Sequence, residues 1–228
     1  MRLNRRSKFL RVNSSEDSFR SLGDALEGYN SDCLETMPGS AKEIYQYYSY
    51  IDSLYIWLKN AYEDDLGVLC NEMRAILGHL SEYDSENENG KRNLSKAYGH
   101  LRRLSIDTLK ILCNGLDKAF DEWISMHAKY DYRSVDAEYF PEYVTLYNKA
   151  HSAYLNAQKE ENLGSDRGNH IIEKYHSVAK KYYALYEYHM DARRYRIEKI
   201  TKKFKLNKIV WIICTSLVVG VSVLGLVV

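Results

Sequence analysis

Proline is nearly missing from this chain, with two residues in 228, and the 12 glycines are thinly spread. Pro38 and Pro141 can interrupt a helix at two places only. No run of alternating β-branched residues occurs, which argues against a sheet with one buried face. The four cysteines, Cys33, Cys70, Cys113 and Cys214, are scattered and form no C-x-x-C pair. That excludes a disulfide framework or a zinc ribbon, and the four are read as free thiols. No glycine-rich phosphate loop and no G-x-S-x-G elbow is present, so the common nucleotide-binding and hydrolase signatures are absent. Glu187, His189 and Asp191 lie near His176, but H-x12-H is not ligand spacing, so neither a metal site nor a cofactor is expected.

What is present is helical periodicity nearly throughout, and the fold class expected is all-α. A first helix is predicted from about Ser15 to Tyr29. Ser40 and Glu43 form an S-x-x-E capping box that opens the second. Its apolar stripe runs Ile44, Tyr47, Tyr48, Ile51, Leu54, Tyr55, Leu58, Ala61, Tyr62. The same register continues through Leu66, Leu69, Met73, Ile76, Leu77 and Leu80 after a kink near Asp64–Gly67. Residues 81–93 read as a polar loop, and a long helix follows from 94 to about 130. Pro141 suits the first turn of the next helix. A last helix starts near His170 and is predicted to run on to Lys208 and beyond. The expected architecture is an antiparallel helical bundle with a long C-terminal helix running into a single transmembrane span. The divisions are a basic arm (1–13), a cytosolic bundle (14–168), a stalk helix (169–208) and a membrane anchor (209–228).

The span is predicted from composition. Residues 209–228 carry no charge. Twenty residues at about 1.5 Å each give a helix of about 30 Å, the thickness of a bilayer's hydrocarbon core. The stretch before it, RRYRIEKITKKFKLNK (193–208), holds eight Lys or Arg and one acid. Positive flanks stay inside, which places residues 1–208 in the cytoplasm and makes the chain single-pass. Lys202, Lys203, Lys205 and Lys208 would meet anionic lipid headgroups, with Trp211 at their level. Ser216 and Gly220 form a small-x3-small pair that allows two spans to approach closely.

The net charge of +1 divides into +7 for 193–208, +5 for 1–13 and −11 for the body between them. An acidic body between basic ends is a poor nucleic-acid binder overall. Tyrosine is abundant, 21 against 5 phenylalanines, and suits half-buried seams and interfaces. Tyr175, Tyr182 and Tyr186 share one face of the last helix, either as core packing or as a surface for a protein partner or a second copy.

Two histidines stand in the middle. If the helices around the polar loop form a hairpin turning near residue 88, positions 79 and 100 fall at the same height. Arg74, His79, His100 and Arg103 then form one polar cluster. His as acid or base with Arg holding charge suits phosphate chemistry. His79 could instead simply bond Glu72, a backbone carbonyl or water. Arg74-x4-His79 also resembles the R-x4-H motif of HEPN ribonucleases, which are all-helical and cut RNA at a dimer interface. Ala75 stands where that family commonly has a polar residue. The resemblance implies a membrane-tethered ribonuclease using Arg74 and His79.

A second stretch, ARRYRIEKITKKFKLNKIVWIICTSLVVGVSVLGLVV (192–228), resembles the basic helix entering the first span of SLATT proteins, bacterial membrane effectors of anti-phage systems. That family has a second span. The resemblance implies a defence effector acting through self-association at the membrane. A SNARE-like tether shares the helical, anchored layout, although GSDRGN interrupts its heptads. The leading expectation is a non-enzymatic, membrane-anchored helical binding or effector protein.

Overall fold

The computed structural model describes residues 16–28, 37–61, 66–128, 137–163 and 169–190. Six helices occupy them, with no strand among the described residues: α1 (Glu16–Glu27), α2 (Ala41–Ala61), α3 (Gly67–Ser81), α4 (Glu88–His127), α5 (Tyr139–Leu163) and α6 (Asn169–Met190). No helix among them is long and apolar enough to cross a membrane. Lys202, Lys203, Lys205, Lys208, Trp211, Ser216 and Gly220 lie outside the described residues, as does the run of the last helix past Met190.

The 40-residue α4 organises the fold. Leu94, Leu101, Leu104, Leu112 and Leu116 lie along it, all buried. The spacing follows the helical period, so α4 turns one apolar face after another to its neighbours. The α3–α4 and α5–α6 pairs pack most extensively, and α6 also runs along α4. Cross-helix contacts give the directions. Tyr139 meets His189 while Tyr175 meets Glu161, so α5 and α6 are antiparallel. Cys113 meets Tyr175 while Asp117 meets Tyr182, so α4 and α6 are parallel. Each fully buried Leu or Ile contributes roughly 1.5–3 kcal/mol, which makes this shared core the main source of stability.

The capping box opens α2 as expected. Ser40 Oγ accepts from Glu43 N–H at 3.4 Å, and Glu43 Oε2 accepts from Gly39 N–H at 2.9 Å. The expected kink near Asp64–Gly67 falls largely outside the described residues; α3 runs from Gly67. Leu77 is 43% exposed, whereas Leu69, Met73, Ile76 and Leu80 are buried. Position 77 lies about 100° around the helix from 76, off the stripe those four define. Trp57, outside the expected stripe, is buried.

The loop expected over 81–93 is shorter, because α4 begins at Glu88. Asn87 caps it, its Oδ1 accepting from Gly90 N–H at 2.6 Å. This side-chain cap satisfies one of the helix's first free amides inside a stretch that reads as polar loop. Gly90 packs so closely on the Asp84 backbone that a Cβ would collide with it. Backbone cannot swing aside as a side-chain tip can. Gly90→Ala should therefore destabilise by roughly 2–3 kcal/mol, read as a lowered thermal midpoint.

Candidate functional site

The α3–α4 hairpin brings His79 and His100 together. Their ring centres are 5.3 Å apart, with 28° between the planes. Glu72 Oε2 lies 2.7 Å from His100 Nδ1 and accepts from Arg103 Nε at 3.3 Å. Arg103 Nη2 is also 2.8 Å from His100 Nδ1. That nitrogen has one in-plane position. It can donate to Glu72 or accept from Arg103, not both. A carboxylate only accepts and a guanidinium only donates, so the tautomer of His100 selects which of the two it bonds. His100 and Glu72 side chains are 24% and 21% exposed, Arg103 56%. The seam is open to solvent along one edge.

Local helix geometry explains who faces whom. Glu72 and His79 are seven residues apart, nearly two turns, so they share a face of α3. The rise of about 10 Å between them puts a Glu72–His79 bond out of reach; His100 from α4 takes the carboxylate instead. Arg74 is about 140° around α3 from His79. It is exposed and donates to Asn71 Oδ1 at 3.3 Å. Of the four residues expected to cluster, the structure joins His79, His100 and Arg103 and places Arg74 on a neighbouring face. On α4, His100, Arg103 and Asp107 follow at helical spacing. Burial raises the Asp107 carboxyl above its usual range, opposed by Lys110.

A second polar seam lies between α4, α5 and α6, where the sequence marks no polar site. Asp117 Oδ1 accepts from Tyr182 Oη–H at 2.6 Å and from His151 Nδ1–H at 2.7 Å. Burial and the nearby Asp117 and Asp121 carboxylates push the Tyr147 hydroxyl above its usual range. Toward the other end, Glu161 accepts from Tyr175 at 2.5 Å and from Lys110 at 2.8 Å, and Glu160 pairs with Lys174. Beyond Asp117, Tyr139 and His189 Nδ1 are 2.8 Å apart, with Trp123 against the same imidazole at 4.8 Å. The signal was in α5: Tyr139, Tyr143, Tyr147 and Tyr154 recur at helical spacing and are all buried. Tyr175 and Tyr182 are fully buried and Tyr186 half-buried, so the tyrosine face of α6 packs into the core. A buried hydroxyl needs an acceptor, and this column of carboxylates supplies it to Tyr175 and Tyr182.

Burial pushes Tyr143, Tyr175 and Tyr182 well above the usual 10, and Tyr154 up to about 12. Unfolded tyrosines ionise near 10 while these stay neutral in the fold. Their stabilisation is complete below pH 10 and declines as pH rises further. In an alkaline titration, a share of tyrosinate absorbance should therefore appear only together with loss of helical circular dichroism. Ionisation of all tyrosines with helicity intact would contradict this.

Among the described residues, Cys70 and Cys113 are free thiols. No group of three or more His, Cys, Asp or Glu among them is placed to hold a metal ion. No known protein family, curated protein or solved structure matches the chain. The local resemblances to HEPN and SLATT proteins therefore rest on the residues that carry them.

Proposed function

We propose that this protein is a membrane-attached helical binding or effector protein. The bundle receives a partner or signal, and residues 209–228 hold it at a bilayer with residues 1–208 in the cytoplasm. One observation carries this reading. The described part of α6 ends at Met190, and eight basic residues (193–208) and then twenty uncharged ones follow shortly after in the sequence. That order suits attachment to an anionic membrane face. The stretch's likeness to SLATT proteins supports an effector that works through self-association, and Ser216 with Gly220 would serve close packing of spans. The solvent-open seam of Glu72, His79, His100 and Arg103 is the place on the bundle suited to a polar ligand.

The test is fractionation followed by size exclusion of the full-length protein in mild detergent. Recovery in the membrane fraction, with release only by detergent, is the expected result. A soluble full-length chain would overturn the attachment. Exchanging residues 209–228 for an unrelated span should spare activity if the span only tethers the bundle and abolish it if the spans themselves associate to act. A peak carrying RNA, lost in Arg74→Ala or His79→Ala, would replace this reading with a ribonuclease.

A further inference from the structure

We propose that the basic arm, residues 1–13, is a second membrane contact of this protein and binds anionic lipid headgroups beside the apolar run. The inference rests on membrane attachment through residues 209–228 and adds to it a lipid partner for the other end of the chain.

The direction of α1 carries it. His176 of α6 meets the Leu26 carbonyl, and Gly23 lies against the ring of Tyr183. From the first contact to the second, position moves backward along α1 and forward along α6, so the two helices are antiparallel. Seven residues, about 10 Å of helical rise, separate Gly23 from Glu16, and seven separate Tyr183 from Met190. The start of α1 and the described end of α6 therefore stand at about the same level. The arm leaves the bundle at the end from which the basic stretch 193–208 also leaves it.

Charge then selects what the arm meets. Residues 1–13 hold Arg2, Arg5, Arg6, Lys8 and Arg11 and no acid, and 193–208 hold eight basic residues and one acid. Two cationic segments at one end of a bundle repel each other unless they share an anionic surface. A leaflet containing acidic lipids is such a surface. The acidic body is the competing one, but its carboxylates are in large part engaged already. Glu72 accepts from Arg103, Asp117 from Tyr182 and His151, Glu142 from Tyr188, and Glu161 from Tyr175 and Lys110. Leu3, Phe9 and Leu10 stand among the cations of the arm, and apolar side chains mixed with Lys and Arg suit the headgroup boundary of a bilayer.

Reach is sufficient. As the helix expected there, the eighteen residues 191–208 rise about 27 Å. The fifteen residues before α1 span up to about 50 Å when extended. The arm is thus long enough to meet the same leaflet that residues 209–228 would enter.

The experiment uses the full-length chain in nanodiscs of phosphatidylcholine, with and without phosphatidylglycerol. Phe9 is replaced by the photoreactive benzoylphenylalanine, and in a separate protein Trp211 is. After irradiation, the mass of the peptide carrying the probe identifies what it has joined. The expected result at position 9 is a lipid adduct, formed about tenfold more in the anionic discs and reduced by added salt. Replacing Arg2, Arg5, Arg6, Lys8 and Arg11 together by glutamine should reduce that adduct by about the same factor, with helical circular dichroism unchanged. The probe at 211 should join lipid in both kinds of disc. A lipid adduct at 211 with none at 9, or a cross-link from 9 into the bundle or to nucleic acid, would overturn the second contact and leave the attachment standing. No lipid adduct at 211 would overturn both.

Discussion

Replacing Asp117 by alanine is expected to cost about 3–5 kcal/mol, the largest effect of any single change at a polar side chain in this bundle. Asp117 Oδ1 serves both Tyr182 and His151. Tyr182 is fully buried. Truncation would leave its hydroxyl with no acceptor and no water, and each such orphan costs roughly 1–3 kcal/mol. Domains are stable by only about 5–15 kcal/mol, so the loss is a large share of the total. The thermal midpoint of the full-length protein in detergent should fall by roughly 10 °C. Asp117→Asn keeps one acceptor oxygen and should lose about half as much. Tyr182→Phe removes a donor without orphaning the acid, which retains His151, and should lose roughly 1 kcal/mol. Equal losses in all three variants would mean that packing, not hydrogen bonding, holds this seam.

Acid should weaken the fold through His176. Its Nε2 donates to the Leu26 carbonyl at 2.9 Å, in the last turn of α1, where helix carbonyls lack internal partners. The ring is 6% exposed and stands edge-on to Tyr50 at 6.5 Å. Two effects oppose each other. Burial, with help from Lys180, disfavours the imidazolium, while the bond to the carbonyl favours it; burial prevails and lowers the pKa from 6.5 to about 4. The unfolded chain takes up a proton at pH 6.5 and the folded one does not. Stability from this group is therefore full above 6.5 and is lost as pH falls from 6.5 to about 4. At about 1.4 kcal/mol for each tenfold difference in proton affinity, the loss amounts to about 3 kcal/mol. His176→Gln can still donate to Leu26 but does not titrate. The difference in thermal midpoint between the two proteins should grow across that window and level off below it. A difference independent of pH would show that His176 binds its proton equally well in the folded and unfolded chain. Gly23 of α1 lies where a Cβ would collide with the Tyr183 ring, so α1 sits tightly on α6 and this one bond is well placed to report on that contact.

The helices themselves were legible. Period, caps and breakers act within one or two turns, and the all-helical class, the Ser40–Glu43 cap, the entry of α5 at Pro141 and the start of α6 all follow from such local signals. Structure departs from local pattern where a nonlocal contact overrides a local one. The stretch before Leu94 reads as loop because it is polar, yet Asn87 caps a helix there, and the Gly90 contact with the Asp84 backbone closes the turn. Leu77 is apolar and faces solvent, because hydrophobicity alone does not say which side of α3 meets α4.

The two polar seams mark the division most clearly. Seven residues on one helix place Glu72 and His79 on a common face by arithmetic alone. That Glu72 reaches His100, that Arg103 stands with them and Arg74 does not, required the rotation of α3 against α4. Likewise the sequence shows many tyrosines at helical spacing, but not that Asp117 and Glu161 lie opposite Tyr182 and Tyr175. Helix type, approximate helix limits and the contrast between a charged body and an apolar end follow from the order of residues alone, because backbone hydrogen bonding and burial pattern are set by near neighbours. Which polar groups pair is set by how the helices pack. Such pairs need two helices in one register and rotation, and that choice is made by the packing of the whole core.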